Sequence, residues 1–427
     1  MRAESAISRR LSARLPIYYG WVVLACLSCA GFSRQGAAVA TLSVFVEPLT
    51  HAFHWSRAAF SGAVSLGGVL AAIASPLIGP ALDRRGARLV LSLAVLVMGL
   101  AAMLLSLTAS LFEFYVLFCI ARMVWAAPFD LGIYATLSKW FVARRRFAIA
   151  IANLAQMAGL VAMPLIAELA MLEGSWREGW FAIGSTVLLV GFLPTLLFLA
   201  RRPEDLGLHP DGPVAARAGR SQSGATAPRS ERDFTRREAV ATPSFWLLLF
   251  YTVLVYPVQA GVSLHQAPYL IERGFSPAIA ATVVSTFSLM SGVASLTWGF
   301  LPSRVPIRYP LALTGAVLAA GIFVMLEIAT TAEAYIAASL FGLGVGGILT
   351  LLPVAWADYF GRANYGAIRG LVLPAQVLAQ AAGPVVSGVL RDWTGNYRLS
   401  LESFTLLAAF SILAALAAVR PKANDPA

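Results

Sequence analysis

The chain has 427 residues, 59% of them hydrophobic and only 12% charged, with a mean hydropathy of +0.75. Soluble domains carry about 25% charged residues, so this composition excludes an ordinary water-soluble globule and points to a membrane protein. The net charge of +11 raises nucleic acid as a partner, but the basic residues are placed as a bilayer requires and a nucleic-acid role is set aside.

A spanning helix needs about 20 apolar residues. Twelve runs qualify, at 18–47, 58–80, 88–109, 112–138, 147–172, 177–200, 244–270, 278–301, 309–330, 333–356, 365–390 and 397–419. None has the alternation of a membrane β-barrel, so the expectation is an all-α membrane protein with twelve transmembrane helices. If the loops alternate sides, 25 of the 32 Lys and Arg fall on one side. Five fall on the other (Arg57, Arg177, Arg273, Arg391, Arg398), and Arg34 and Arg122 lie within helices. The positive-inside rule then makes both termini cytoplasmic. The first apolar run is too long for a cleavable signal and eleven more follow, so a signal-anchor is expected. Cys26, Cys29 and Cys119 all lie inside apolar runs. They read as small packing residues, with no disulfide frame, metal site or cofactor implied.

Residues 1–17 are polar and basic, and Tyr18, Tyr19 and Trp21 open helix 1 as an interfacial belt. Midway along helix 1 stand Arg34 and Gln35. A charge at that depth costs a few kcal/mol, so Arg34 must face a wet cavity or a partner. Helix 1 closes in Val44-Phe-Val-Glu47-Pro48-Leu49, followed by His51, His54 and Trp55-Ser56-Arg57-Ala58. His51 and His54 read as loop residues outside the membrane, and Ser56 as the N-cap of helix 2.

Between helices 2 and 3 comes Gly79-Pro-Ala-Leu-Asp83-Arg84-Arg85-Gly86-Ala87-Arg88. It resembles the signature loop of the major facilitator superfamily, Gly-x-x-x-Asp-Arg-x-Gly-Arg-Arg. Gly79, Asp83, Arg84, Gly86 and Arg88 match, and Ala87 replaces one basic residue. The resemblance implies two six-helix bundles, the major facilitator fold. It also implies a cytoplasmic gate in which Asp83 faces the N-terminus of a helix in the other half, where a helix dipole favours a carboxylate. A simple tight turn with glycine-permitted positive φ is the alternative.

Helix 4 carries Arg122 and Asp130, eight residues and about 12 Å apart at 1.5 Å per residue, too far for easy direct contact. Each needs water, another helix or a substrate. The superfamily's Arg-x-x-x-Gly-x-Gly pattern appears here as Arg122-Met-Val-Trp-Ala126-Ala-Pro128. Proline replaces the second glycine and should kink the helix. Lys139-Trp-Phe-Val-Ala-Arg144-Arg145-Arg146 reads as the following cytoplasmic loop. Helix 5 holds Asn153, Gln156, Gly159 and Pro164; Met163 stands where antiporters want a glycine.

Residues 201–243 form the one long polar segment, with eight Arg and six acids, and read as a flexible linker. The domain division is thus 1–200, an N-terminal bundle; 201–243, the linker; and 244–427, a C-terminal bundle. In the second half, Trp298-Gly-Phe-Leu-Pro-Ser303-Arg304 occupies the place of the signature loop, with Ser303 for the aspartate and so a weaker latch. His265 lies toward the outer end of helix 7 and is a candidate proton-coupling residue or a packed polar one. Gln376 and Gln380, at i and i+4, share one face of helix 11. Arg369 lies near the cytoplasmic mouth and reads as structural.

The text around Val44–Leu49, Trp55–Ala58, Lys139–Arg146 and Arg202–Gly212 resembles bacterial facilitators grouped with the monocarboxylate and oxalate–formate porters. Ser295 replaces that family's arginine in helix 8, and helix 11 lacks its mid-membrane lysine, so oxalate is not the expected cargo. The combined expectation is a secondary active transporter in the cell inner membrane, carrying a small organic anion with a proton or a counter-anion. Arg34, Gln35, Arg122, Tyr134, Gln376 and Gln380 are the expected substrate contacts, and Asp130 and His265 the expected proton carriers. Membrane lipids are the other expected partners, and the chain is expected to be a monomer. No nucleotide-binding loop, His-Glu-x-x-His motif or nucleophile–base constellation is present, so an enzyme is not expected. Two rivals remain: drug efflux, favoured by Asp130 with Trp125 and Tyr134, and a non-transporting membrane sensor.

Overall fold

The computed structural model describes residues 6–55, 57–172, 174–211, 233–300 and 305–421. Among the described residues, twelve helices are long and apolar enough to cross a membrane. They are α1 Gly20–Phe53, α2 Gly62–Arg85, α3 Ala87–Leu105, α4 Leu111–Trp140, α5 Arg145–Leu172, α6 Trp176–Phe198, α7 Pro243–Glu272, α8 Ala278–Gly299, α9 Arg308–Leu326, α10 Thr331–Phe360, α11 Tyr365–Thr394 and α12 Arg398–Ala417. Their outer faces carry large apolar side chains in the open, such as Leu77, Phe112 and Leu189. That is the reverse of a soluble surface and what a hydrocarbon solvent permits. The Ser56 cap, the Ser303–Arg304 stretch and linker residues 212–232 lie outside the described residues.

Local chemistry explains where the spans begin. Ser110 with Glu113, Ser175 with Glu178, and Thr330 with Glu333 form capping boxes at the starts of α4, α6 and α10. Each satisfies backbone N–H groups that the first helical turn leaves without partners. Several spans outrun their apolar cores. α1 continues to Phe53, so His51 is helical and lies 3.6 Å from Glu47 on the next turn rather than in a loop. Its end is set by His54, which adopts a left-handed conformation at φ 57°.

The chain divides into two compact units. One comprises Met1–Glu231 with Arg362–Pro374, the other Arg232–Gly361 with Ala375–Ala427. The loop before α11 and the first turns of that helix therefore group with the first unit. Within the second unit, α8, α9 and α10 pack through small residues. A Cβ on Gly346 would lie 2.1 Å from the Ser291 carbonyl oxygen, so only glycine lets α8 and α10 approach this closely. Within the first unit, Gly159 does the same for α5 against α1, where a Cβ would lie 2.4 Å from the Phe32 oxygen.

Two spans of the first unit are broken. α1 stops at Arg34, makes one 3₁₀ turn over Gln35–Ala37, passes through extended Ala38 and restarts at Val39. α4 stops at Ala126 and restarts at Pro128, with Ala127 at φ −109°, ψ −68°. Proline has no N–H to donate and its ring crowds the preceding turn, which accounts for the second break.

Candidate functional site

The two breaks bring the mid-span charges of the first unit together. Arg34, at the end of the first segment of α1, is 7% exposed. Its Nη1 donates to Gln156 Oε1 on α5 at 2.9 Å, and its Nη2 lies 3.7 Å from Asp130 Oδ1 on α4. The other carboxylate oxygen of Asp130 accepts from Arg369 Nη2 at 3.3 Å. Asp130 is thus held between two guanidinium groups, in a site where water does little to screen them.

Arg122 does not reach Asp130. Its Nη1 donates to the carbonyl of Ala37 at 3.2 Å, an oxygen made available by the break in α1. The neighbouring Gln35 carbonyl takes the Thr41 hydroxyl at 2.7 Å. Trp125 joins the two arginines: the Arg122 guanidinium carbon lies 3.8 Å, and that of Arg34 4.4 Å, from its ring centroid. Cation–π attraction of this kind strengthens where water is excluded. The stem of Arg122 fits because residue 67 is glycine; a Cβ there would lie 2.6 Å from the Arg122 Cβ.

A neutral chain continues from the charges. Asn153 Oδ1 accepts from Tyr134 Oη at 2.8 Å and from Gln156 Nε2 at 3.2 Å. Tyr134, Asn153, Gln156, Arg34, Asp130 and Arg369 therefore form one connected polar network. Arg34 and Arg369 share the Asp130 carboxylate, and Arg122 adds a third guanidinium beside them through Trp125. The network carries net positive charge and offers donors in the fork geometry that suits a carboxylate.

The signature turn builds a second cluster. Asp83 is 8% exposed. Its carboxylate accepts from the backbone N–H of Ala367 at 2.7 Å and of Gly366 at 3.4 Å, in the first turn of α11. It also pairs with Lys139 Nζ at 2.9 Å. The carboxylate thus meets a helix N-terminus and a buried ammonium together. Close approach underlies the contact: a Cβ on Gly79 would lie 2.0 Å from the Gly366 carbonyl oxygen. Ser75 Oγ, one turn before Gly79, donates to the Gly370 carbonyl at 3.1 Å. Gly86 turns the chain into α3 at φ 89°, a conformation that side chains resist. Arg88 Nε donates to the Leu196 carbonyl at 2.8 Å, and Arg84 is exposed. Arg362, just before α11, donates to the Lys139 carbonyl and to Glu204 Oε1, each at 2.7 Å.

The remaining expected residues lie in the second unit. His265 Nε2 sits 3.1 Å from the Pro384 carbonyl, which only accepts, so that nitrogen carries the proton. Nδ1 lies 3.1 Å from Tyr397 Oη. Burial raises the pKa of the Tyr397 phenol and keeps it a donor. Gln380 Nε2 donates to Gln259 Oε1 at 3.4 Å, and Gln376 is buried.

Three members of the first-unit network were not assigned to it by sequence reasoning: Gln156, Asn153 and Arg369. Arg369 resembles the topology-setting arginines of the loops. One signal distinguishes it: it lies four residues inside a span, one position before Gly370 in the small-residue pair Gly366/Gly370.

A family model described as the Major Facilitator Superfamily matches residues 21–384. The chain belongs to this superfamily. It is 28% identical over 410 residues to monocarboxylate transporter 11 of Homo sapiens, covering 92% of this chain and 82% of the relative. It is 27% identical over 325 residues to the membrane sensor protein UhpC of Escherichia coli, covering 73% and 72%. Over 380 residues it is 22% identical to the oxalate:formate antiporter of Oxalobacter formigenes, covering 87% and 85%. Among solved structures, the proton:xylose symporter XylE superposes with a TM-score of 0.71 over 92% of this chain and 94% of that chain, at 14% identity. That likeness concerns the fold: an all-α, multi-pass major facilitator architecture. The superfamily is one of transporters, not of enzymes.

Proposed function

We propose that this major facilitator carries small organic anions of the monocarboxylate type by alternating access, driven by an ion gradient or by exchange. The observation that carries the reading is the excess of guanidinium over carboxylate in this cluster, with buried Arg34 and Arg369 and half-buried Arg122 around the Asp130 carboxylate. Buried charge is costly unless balanced, and a carboxylate ligand balances it. Arg122 and Arg34, lying over Trp125, hold the carboxylate; Gln35 and Tyr134 supply the polar surroundings. Asp130 is the proton carrier: protonation would release its hold on Arg34 and Arg369. The Gly79–Arg88 turn, with Asp83 on the start of α11, acts as the cytoplasmic gate. The protein works in the cell inner membrane with both termini cytoplasmic, in keeping with the lopsided distribution of Lys and Arg. The names of two relatives, a monocarboxylate transporter and an oxalate:formate antiporter, agree with an anionic cargo.

The test is uptake of labelled lactate, pyruvate, formate and oxalate into proteoliposomes, with and without an imposed proton gradient. Saturable uptake of at least one acid, lost in folded Arg34→Ala and Arg122→Ala, is the expected result. Undiminished uptake by both variants ends the proposal. Export of cationic drugs has less support, because the one acid in the cluster is already claimed by two arginines. A sensor is the second reading, favoured by the 27% identity to a membrane sensor protein. It predicts ligand-induced stabilisation with no flux under any gradient.

A further inference from the structure

A cavity of about 1060 Å³ opens in the first unit, and no residue of the Arg34–Asp130 cluster lines it. One end is basic. Arg85 and Arg88 reach it from the α2–α3 turn, Arg201 from the chain after α6, and Arg9 from the short helix Ala6–Arg14. Two acids, Glu204 and Asp205, share that end, but Glu204 is paired with Arg362 at 2.7 Å. The other end is apolar, walled by Leu93 and Leu96 of α3 and by Phe192 of α6. Phe192 closes a π-helical stretch, Val187–Phe192, a local irregularity that is frequent at functional sites.

The two ends are joined along one helix stripe. Arg88, Leu89, Ser92, Leu93 and Leu96 follow the turn of α3, so the lining passes from charge to hydrocarbon over about 12 Å at 1.5 Å per residue. Between them, Ser92 is only 4% exposed and its hydroxyl has no hydrogen-bond partner in the protein. Leu89 and Leu93 are each 56% exposed, so the apolar wall opens sideways.

We propose that this cavity binds one anionic phospholipid. The phosphate lies against Arg9, Arg85 and Arg88, an ester oxygen accepts from Ser92, and one acyl chain follows Leu93, Leu96 and Phe192. A small free anion would use only the basic end, and an uncharged lipid would leave that end uncompensated. The chain's own segment 212–232 carries four arginines and one acid, and its charge is wrong for a basic mouth. Clusters of arginine beside a bilayer select anionic headgroups on the same electrostatic grounds.

The full-length protein in detergent is titrated with dioleoylphosphatidylglycerol, dioleoylphosphatidylcholine or inorganic phosphate, following thermal unfolding and lipid retention by native mass spectrometry. Phosphatidylglycerol alone is expected to raise the Tm and to remain as a one-to-one adduct. Arg9→Gln should weaken it about fivefold, as for loss of one basic residue at a headgroup, without altering the response to phosphatidylcholine. Leu96→Trp, which fills the apolar half, should remove the adduct. Equal effects of the two lipids, or an equal effect of inorganic phosphate, overturn the proposal. So does an unchanged titration of Arg9→Gln, which decides the matter even if Leu96→Trp fails to fold.

Discussion

α1 and α4 are interrupted at mid-span, whereas α7 and α10, which open and close the same stretch of the second half, run as unbroken helices of 30 residues each. Proline alone does not explain the contrast. α7 contains Pro257 and Pro268, and α10 contains Pro353, yet neither helix stops. The charges differ instead. Arg34, Arg122 and Asp130 lie in the interiors of the broken spans, while between Glu333 and Asp358 α10 carries no charged residue. A break exposes backbone carbonyls that hydrocarbon cannot satisfy; in α1 the guanidinium of Arg122 takes the Ala37 oxygen. Break and charge thus stabilise each other, and the first unit holds a buried ionic network where the second holds hydrogen-bonded pairs without a carboxylate or guanidinium, such as His265 with Tyr397 and Gln259 with Gln380.

The largest expected effect tests whether function belongs to the charged region. Arg34→Ala or Arg122→Ala should lower anion uptake by about 10–100-fold, since a charge-assisted hydrogen bond contributes about 1.5–3 kcal/mol. Rates in proteoliposomes, normalised to folded protein, would show it. Next, Asp130→Ala leaves Arg34 and Arg369 buried against each other and should destabilise the protein by about 3–5 kcal/mol. A double-mutant cycle with Arg369→Gln should reveal a coupling of about 0.5–3 kcal/mol in thermal or denaturant unfolding; simple additivity would mean the pair is not coupled. A smaller loss, about 1–3 kcal/mol, is expected for Gly79→Val, whose side chain must displace the Gly366 carbonyl. The smallest effect lies in the neutral region. His265→Gln should leave the pH dependence of uptake within about twofold of the parent, because a glutamine amide offers both a donor and an acceptor toward the Pro384 carbonyl and the Tyr397 hydroxyl. Asp130→Asn should flatten that dependence. The reverse outcome would move the proton pathway into the second unit.

Much of this contrast was legible one residue at a time. A lone arginine inside an apolar run is costly wherever the chain folds, so Arg34 and Arg122 announced themselves. Pro128 announced the break in α4 for a similarly local reason. Arg369 and Lys139 did not, because each lies near a span end, where a basic residue is already explained by membrane orientation. Gln156 and Asn153 carried no signal, since a neutral amide is unremarkable on any helix until its neighbours are known. Which acid each arginine meets was equally hidden: the eight-residue spacing of Arg122 and Asp130 excluded one pairing and proposed no other.

Solvent transfer is local and additive, so the chain's composition and spacing alone were enough to establish twelve spans, while the superfamily they build was legible from the resemblance of the Gly79–Arg88 turn to a known signature. Partnership is neither local nor additive. That Asp130 lies between Arg34 and Arg369, and that Asp83 meets the first turn of α11 beside Lys139, depends on how close the helices come. Glycines 79, 159 and 366 decide that distance, and only the folded chain shows what they are close to.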